Sequence, residues 1–158
     1  MRIVALEEHY TVPAIVNRIE PAAIRRRGFA APDIVWGQTL KRNELAQLGD
    51  ARIADMDASG ITLQVLSVAG PGADVVPGAD GIALARDYNN ALFEATSHHP
   101  DRYQGFAHPP MHSPDAAADE LERTVKDLGF RGLLVNGPTT DGSSMIRCSS
   151  RSWREPRL

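Results

Sequence analysis

The sequence lacks several features that mark other classes of protein. It has one cysteine, Cys148, which excludes an internal disulfide and any zinc site built from several cysteines. No apolar run reaches the ~18 residues of a membrane span, and the first residues lack the pattern of a secretory signal. A net charge of −3 argues against a nucleic-acid-binding surface. The 158 residues, 42% of them hydrophobic, therefore predict one globular cytoplasmic domain that binds neither membranes nor nucleic acids.

The order of the apolar segments predicts an α/β protein. Four segments rich in β-branched residues predict strands at residues 2–9, 61–69, 103–108 and 130–135. Segments with helical spacing separate them, including one predicted over residues 83–98 and one that begins at Ser113. Strands that alternate with helices indicate parallel βαβ units, either half of a (β/α)8 barrel or part of a doubly wound sheet. No GxGxxG follows the first strand, so dinucleotide binding has no support.

The strongest local motif is Glu7-Glu8-His9 at the end of the first predicted strand. Side chains alternate along a strand, so Glu7 and His9 are predicted to share one face while Glu8 points to the other. A carboxylate and an imidazole on one face can bind one divalent cation, and both ligand types suit Zn, Mn or Fe. The alternative is a solvated strand end without function, because a Glu-x-His pattern is short and common.

Polar residues also follow the third and fourth predicted strands. His108 and His112 bracket Pro109-Pro110, and in a barrel this loop would face the rim of the active site. A polar loop without function is the favoured interpretation of both histidines. Asn136, after the fourth strand, is either part of a turn or a polar group at the rim.

Four motifs, carried in order by three stretches of the chain, resemble one family. ALEEHY at 5–10 is similar to the first metal motif of the amidohydrolase superfamily, in the branch of the aminocarboxymuconate-semialdehyde, γ-resorcylate and 2,3-dihydroxybenzoate decarboxylases. RIADMDASGITLQVLS at 52–67 resembles that branch's second-strand signature. The stretch at 99–137 resembles its third and fourth βα units.

The resemblance implies the N-terminal half of a metal-dependent (β/α)8 TIM barrel over residues 1–139. It implies one divalent metal, Zn or Mn, with Glu7 and His9 as the two ligands from strand one, bound weakly or not at all by this chain alone. The family's other ligands, a His after strand five and an Asp after strand eight, lie beyond this chain. His108 stands where relatives often have a small residue, so it is not assigned as a ligand. A half barrel would also leave inner apolar side chains without facing partners, and we expect this of Val4, Leu6, Leu66, Phe106 and Leu134.

Residues 140–158 depart from every earlier pattern and are predicted to be an out-of-frame tail rather than a domain. Five of the sixteen residues in 143–158 are Ser and four are Arg, without periodicity. In a shifted reading frame, the third base of the Met145 codon and the first two bases of the Ile146 codon form GAT. This codon encodes Asp, whichever Ile codon is used. Continued with GC-rich codons, a permitted reading restores an Asp-Pro and Arg-Ala-Glu-Ala series similar to that of relatives. We therefore expect a frameshift near Thr139 to Asp141.

The resemblance implies that the complete form is a non-oxidative decarboxylase of an aromatic or related carboxylic acid. Its partner would be that small-molecule substrate, and the complete form is expected to be a homo-oligomer. A metal-dependent hydrolase of the same family is one alternative. A truncated fragment without catalytic activity is the other, since half of the expected site is missing.

Overall fold

The computed structural model describes residues 1–19, 22 and 44–136, and the predicted tail at 140–158 lies outside this part of the chain. The strands are β1 (Val4–Tyr10), β2 (Leu63–Val68) and β3 (Tyr103–Gly105). The helices are α1 (Pro13–Arg18), α2 (Asp50–Ala58), α3 (Gly78–His98) and α4 (Pro114–Lys126), with short 3-10 helices at Glu44–Ala46 and Gly72–Val75. None of the helices in these ranges is long and apolar enough to cross a membrane.

The three strands form a parallel sheet in the order β1-β2-β3. Val4 of β1 pairs with Leu63, and Gln64 of β2 pairs with Tyr103. Each crossover between neighbouring strands contains a helix, as parallel strands require. The predicted alternation of strands and helices is therefore confirmed, and the carboxyl ends of the strands meet at one edge of the sheet.

A fourth extended segment continues the sheet beside β3. Ala107 and Leu133 form a parallel bridge, and the Leu134 amide donates to the Ala107 carbonyl at 2.9 Å. The predicted fourth strand thus lies in its expected place but is paired over a shorter length than residues 130–135. Gly132, with φ of +157° and no side chain to pack, weakens strand structure at its centre.

Helix α3 begins at Gly78, five residues before the predicted start. The stretch at 70–81 holds four Gly and two Pro, a composition that predicts a loop as far as residue 81. Asp80 lies in the first turn of α3, where its negative charge complements the helix dipole. This interaction and the burial of Gly81 against the loop that contains His112 favour the longer helix.

The hydrophobic core lies between one face of the sheet and the helices. Leu66 and Val68 of β2 are fully buried there with Met56 of α2 and Leu84 of α3. The expectation that Leu66 would lack a partner is therefore wrong: alternation along β2 places it on the helix-covered face.

On β1 the expectation of exposed apolar side chains is confirmed, since Val4 is 44% and Leu6 is 63% exposed. Phe106 and Leu134 are half-buried. Among the described residues, β1 is an edge of the sheet, and an uncovered apolar edge strand favours association with another chain.

Candidate metal site at the carboxyl edge of the sheet

The end of β1 is irregular at the predicted ligand Glu7. Ala5 pairs with Gln64 and Glu8 pairs with Leu66, so β1 advances three residues while β2 advances two. This β-bulge contains Glu7, whose φ of +61° lies in the left-handed region that non-glycine residues rarely adopt. Such strain is of order 1–3 kcal/mol and concentrates at functional sites. Simple alternation through Glu7, on which the sequence argument rested, is therefore interrupted, although Glu7 remains exposed at the strand end.

Glu8 is held on the helix-covered side of the sheet by Arg52 of α2. The Glu8 carboxylate lies 3.7 Å from the Arg52 guanidinium, which also donates from Nη1 to the His9 carbonyl at 2.9 Å and from Nε to Gln64 Oε1 at 2.8 Å. Burial lowers the pKa of Arg52, and the charges of Tyr103 and Glu8 oppose this effect. An arginine remains charged in either case. Arg52 thus fixes the end of β1 to both α2 and β2.

His9 lies on the opposite face, beside the central strand. It pairs in register with Ser67, and its Nδ1 lies 3.1 Å from Ser67 Oγ. The His9 side chain is exposed whereas Ser67 is fully buried. Nε2 has no partner in the described part of the chain, so one ring nitrogen is anchored and the other is free to bind a ligand.

These residues fit part of a divalent cation site. The Glu7 carboxylate has no hydrogen bond or ion pair to any described residue, and carboxylate oxygen with imidazole nitrogen is a donor set for Zn or Mn. Within residues 1–19, 22 and 44–136 no cluster of three or more His, Cys, Asp or Glu could hold a metal ion. The described chain therefore offers two ligands at most at this position, and the assignment of Glu7 and His9 stays a prediction.

His108 lies in the loop after β3, as predicted, and is fully buried there. Its Nδ1 lies 3.0 Å from the Leu134 carbonyl, and its Nε2 lies 3.4 Å from Asp74 Oδ2, which is also buried. That separation is within ion-pair range, but the atoms are too poorly aligned for a hydrogen bond. Gly72 approaches so closely that a Cβ there would lie 2.6 Å from the imidazole ring. His108 thus joins the loops after β2 and β3 to the fourth extended segment.

His112, the other histidine of this loop, is half-buried, and its Nε2 lies 3.2 Å from the Gly78 carbonyl at the start of α3. Asn136 is also half-buried, and its side chain packs against Gly70, 3.1 Å from the position of a Cβ there. Both side chains thus contact the glycine-rich stretch at 70–81.

A second buried polar group supports His108 from the helices. Asn89 of α3 accepts a hydrogen bond from the His108 amide at 3.2 Å and donates to Glu120 of α4 at 2.9 Å. Arg123 donates to both Glu120 oxygens at 2.7 and 2.8 Å, and this hydrogen bond raises the pKa of Arg123. Burial of a carboxylate is costly unless it is hydrogen-bonded, and these partners satisfy Glu120 while Asn89 links it to the His108 backbone.

Arg52 and Ser67 were not identified from the sequence as parts of the site. Ser67 is one of two polar residues in β2, with Gln64, and this signal could have singled it out. Its contact with His9 becomes visible only when the register between β1 and β2 is known. Arg52 belongs to a helix with several charged residues, and the sequence does not distinguish it from its neighbours.

The fold and the carboxyl edge of the sheet define the class of protein. It consists of parallel βα units with candidate metal ligands at the carboxyl end of the first strand, as in half of a (β/α)8 barrel. Comparison with known sequences gives the family. A sequence model described as Amidohydrolase matches residues 9–144, and the chain belongs to this amidohydrolase family. The chain has the fold of the N-terminal half of the family's barrel, so the predicted fold class is confirmed.

The relatives of this chain include decarboxylases. It is 38% identical over 146 residues to the γ-resorcylate decarboxylase of Rhodococcus jostii, an alignment that covers 89% of this chain and 41% of that protein. A crystal structure of 2,6-dihydroxybenzoate decarboxylase from Rhizobium matches with a TM-score of 0.72 at 36% identity, over 90% of this chain and 42% of that one. A dihydroxybenzoic acid decarboxylase from Polaromonas, solved with manganese and the inhibitor 2-nitroresorcinol, matches with a TM-score of 0.71 at 36% identity, over 88% and 40%. The chain thus spans about two fifths of the length of these relatives.

Proposed function

We propose that residues 1–139 are the N-terminal half of a metal-dependent decarboxylase that acts on an aromatic carboxylic acid. The observation that carries this proposal is the similarity, across about nine tenths of the chain, to decarboxylases of dihydroxybenzoates. Glu7 and His9 at the carboxyl end of β1 are where a barrel enzyme places such ligands. The first candidate substrate is 2,6-dihydroxybenzoate, and a metal-dependent hydrolase of the same family has no observation in its favour.

Glu7 and His9 are proposed as two ligands of a divalent cation. Manganese is the first candidate because the Polaromonas relative was solved with it, and zinc is the alternative. When bound, such an ion would hold the substrate carboxylate or a neighbouring phenolic oxygen and stabilise negative charge there. The chain's own residues prepare the site: Arg52 fixes the end of β1, and Glu8 is kept on the other side of the sheet.

The reaction breaks the bond between the ring carbon and its carboxylate, releases CO₂ and returns one proton to that carbon. The resemblance assigns the proton donor to an Asp after strand eight, which a complete barrel would supply. A general acid contributes roughly 10²–10⁴-fold to a rate. We therefore propose that the 158-residue chain by itself has no measurable turnover, which is the truncated-fragment alternative, while the complete form is a cytoplasmic, homo-oligomeric enzyme.

The tail at 140–158 is proposed to be out of frame. Sequencing the coding DNA tests this directly: an open second frame that encodes the rest of a barrel is expected after Thr139. Downstream DNA with no such frame would contradict the proposal.

The function is tested with the frame restored and the second half of the barrel supplied. We expect manganese-dependent CO₂ release from 2,6-dihydroxybenzoate, abolished by Glu7→Ala and by His9→Ala. Glu8→Ala is the matched control and should be milder, because Glu8 contacts Arg52 rather than the proposed cation. Steady metal-dependent CO₂ release by the unrepaired chain, or a restored protein that folds and binds metal but releases none, would contradict the proposal.

A further inference from the structure

Ser67 is the one buried side chain that contacts a proposed ligand in the described residues. Its Oγ lies 3.1 Å from His9 Nδ1, and the two residues are direct partners in the parallel register. Ser67 is fully buried in the central strand β2, which is paired on both sides. Its hydroxyl is therefore held in a fixed position, whereas the His9 ring is exposed and is otherwise free to rotate.

The chemistry of imidazole gives this contact a consequence. A neutral ring has one N–H and one lone pair, and a partner at one nitrogen decides which form is present. If Nδ1–H donates to Ser67 Oγ, the Nε2 lone pair is left facing solvent, in the form that a metal requires. In the other tautomer Nε2 carries the proton and cannot bind a cation.

We propose that Ser67 is a positioning residue for His9. The Ser67 hydroxyl oxygen accepts a hydrogen bond from His9 Nδ1–H and so orients the ring with its Nε2 lone pair toward the divalent cation. This inference rests on the proposed function only for the identity of the ligand. The tautomer that it requires is a property of the metal-free chain and can be measured separately. Outer hydrogen bonds of this kind typically change metal affinity by roughly 10–100-fold.

The first test measures Mn²⁺ binding to the frame-restored protein by competition with a fluorescent chelator. Ser67→Ala should weaken binding roughly 10–100-fold, and Ser67→Thr, which keeps a hydroxyl, should recover most of the loss. Ser113→Ala is the matched control, because Ser113 makes no side-chain capping bond at α4, and its affinity should be unchanged. Equal affinity in Ser67→Ala and the starting chain would overturn the inference.

The second test reads the tautomer of His9 in the metal-free chain by nitrogen NMR after labelling with [¹⁵N]histidine, a method that works on soluble or aggregated samples. The signal of His9 is identified by its loss in His9→Ala. We expect the Nδ1–H form in the starting chain and its loss in Ser67→Ala. A merely structural role for Ser67 would leave the tautomer unchanged.

The two tests separate failure of the inference from failure of the proposed function. If the frame-restored protein binds no Mn²⁺, or if His9→Ala binds it equally well, the metal assignment fails. An Nδ1–H tautomer that depends on Ser67 would still support the positioning role. If Mn²⁺ binds through His9 but its free form carries the proton on Nε2, the positioning role is wrong and the metal assignment stands. A Ser67→Ala chain that does not fold leaves the tautomer of the starting chain and the Ser67→Thr affinity to decide.

Discussion

The two faces of the sheet differ in burial, and paired leucine substitutions measure this difference. Leu66 is fully buried against the helices, whereas Leu6 is 63% exposed. Leu→Ala at a fully buried site costs about 2–5 kcal/mol, from lost transfer free energy and from the cavity that remains. Full burial of a leucine contributes about 1.5–3 kcal/mol, and Leu6 buries only roughly a third of its surface, so Leu6→Ala should cost less than about 1 kcal/mol.

The assay is urea unfolding followed by circular dichroism at low protein concentration. With a slope of about 1–3 kcal/mol per molar urea, a difference of about 2 kcal/mol between the variants moves the midpoint by roughly 1 M. Sedimentation of the same samples checks association, which Leu6→Ala should reduce because it removes apolar surface from an exposed edge strand. Equal losses of stability in Leu6→Ala and Leu66→Ala for dispersed monomers would refute the assignment of the covered face.

Three further predictions concern the backbone and the buried phenols. Glu7 has a φ of +61°, which glycine adopts more readily than alanine. Glu7→Gly should therefore be more stable than Glu7→Ala by about 1 kcal/mol in urea unfolding, although both substitutions remove the carboxylate. A more stable alanine variant would contradict the strained bulge. Burial raises the pKa of Tyr10 and Tyr88 above their ordinary value of about 10, so stability is full below that pH. As pH rises further, the unfolded chain loses these protons first and stability should fall by up to about 1.4 kcal/mol per pH unit for each tyrosine; constant unfolding midpoints across this range would refute it. Gly72→Ala adds a Cβ at 2.6 Å from the buried His108 imidazole and should lower the free energy of unfolding by at least about 2 kcal/mol. Gly78→Ala, at a similar positive φ with open space around it, should lower it by about 1 kcal/mol. Equal losses in thermal unfolding would show that the imidazole moves aside to accommodate the added methyl group.

Hydrophobic patterning was sufficient to predict the order of strands and helices, because alternate burial follows directly from strand and helix periodicity. It was not sufficient to place Leu66, since a strand that is buried on both faces does not reveal in its sequence which face the helices cover. The start of α3 was also missed, because the propensity of glycine is a weak guide where the chain gains charge and packing interactions.

The candidate site could be predicted only in part. A Glu-x-His pattern at a strand end is local and visible in the sequence, so Glu7 and His9 could be singled out. The bulge at Glu7 and the contact of His9 with Ser67 depend on how β1 is registered against β2. The burial of His108 could not be predicted from the sequence either, because it is set by segments that lie far apart along the chain.

Mn²⁺ titration of the frame-restored protein shows whether Glu7 and His9 act as ligands of one cation, the assignment on which the proposed function rests. Free Mn²⁺ is followed by its electron paramagnetic resonance signal, with Glu7→Gln and His9→Ala as variants and Glu8→Gln as the matched control. We expect one tightly bound Mn²⁺ per chain. Its binding should be lost or weakened at least roughly 10-fold in Glu7→Gln and His9→Ala and retained in Glu8→Gln. Undiminished binding in Glu7→Gln, or an equal loss in Glu8→Gln, would contradict the assignment.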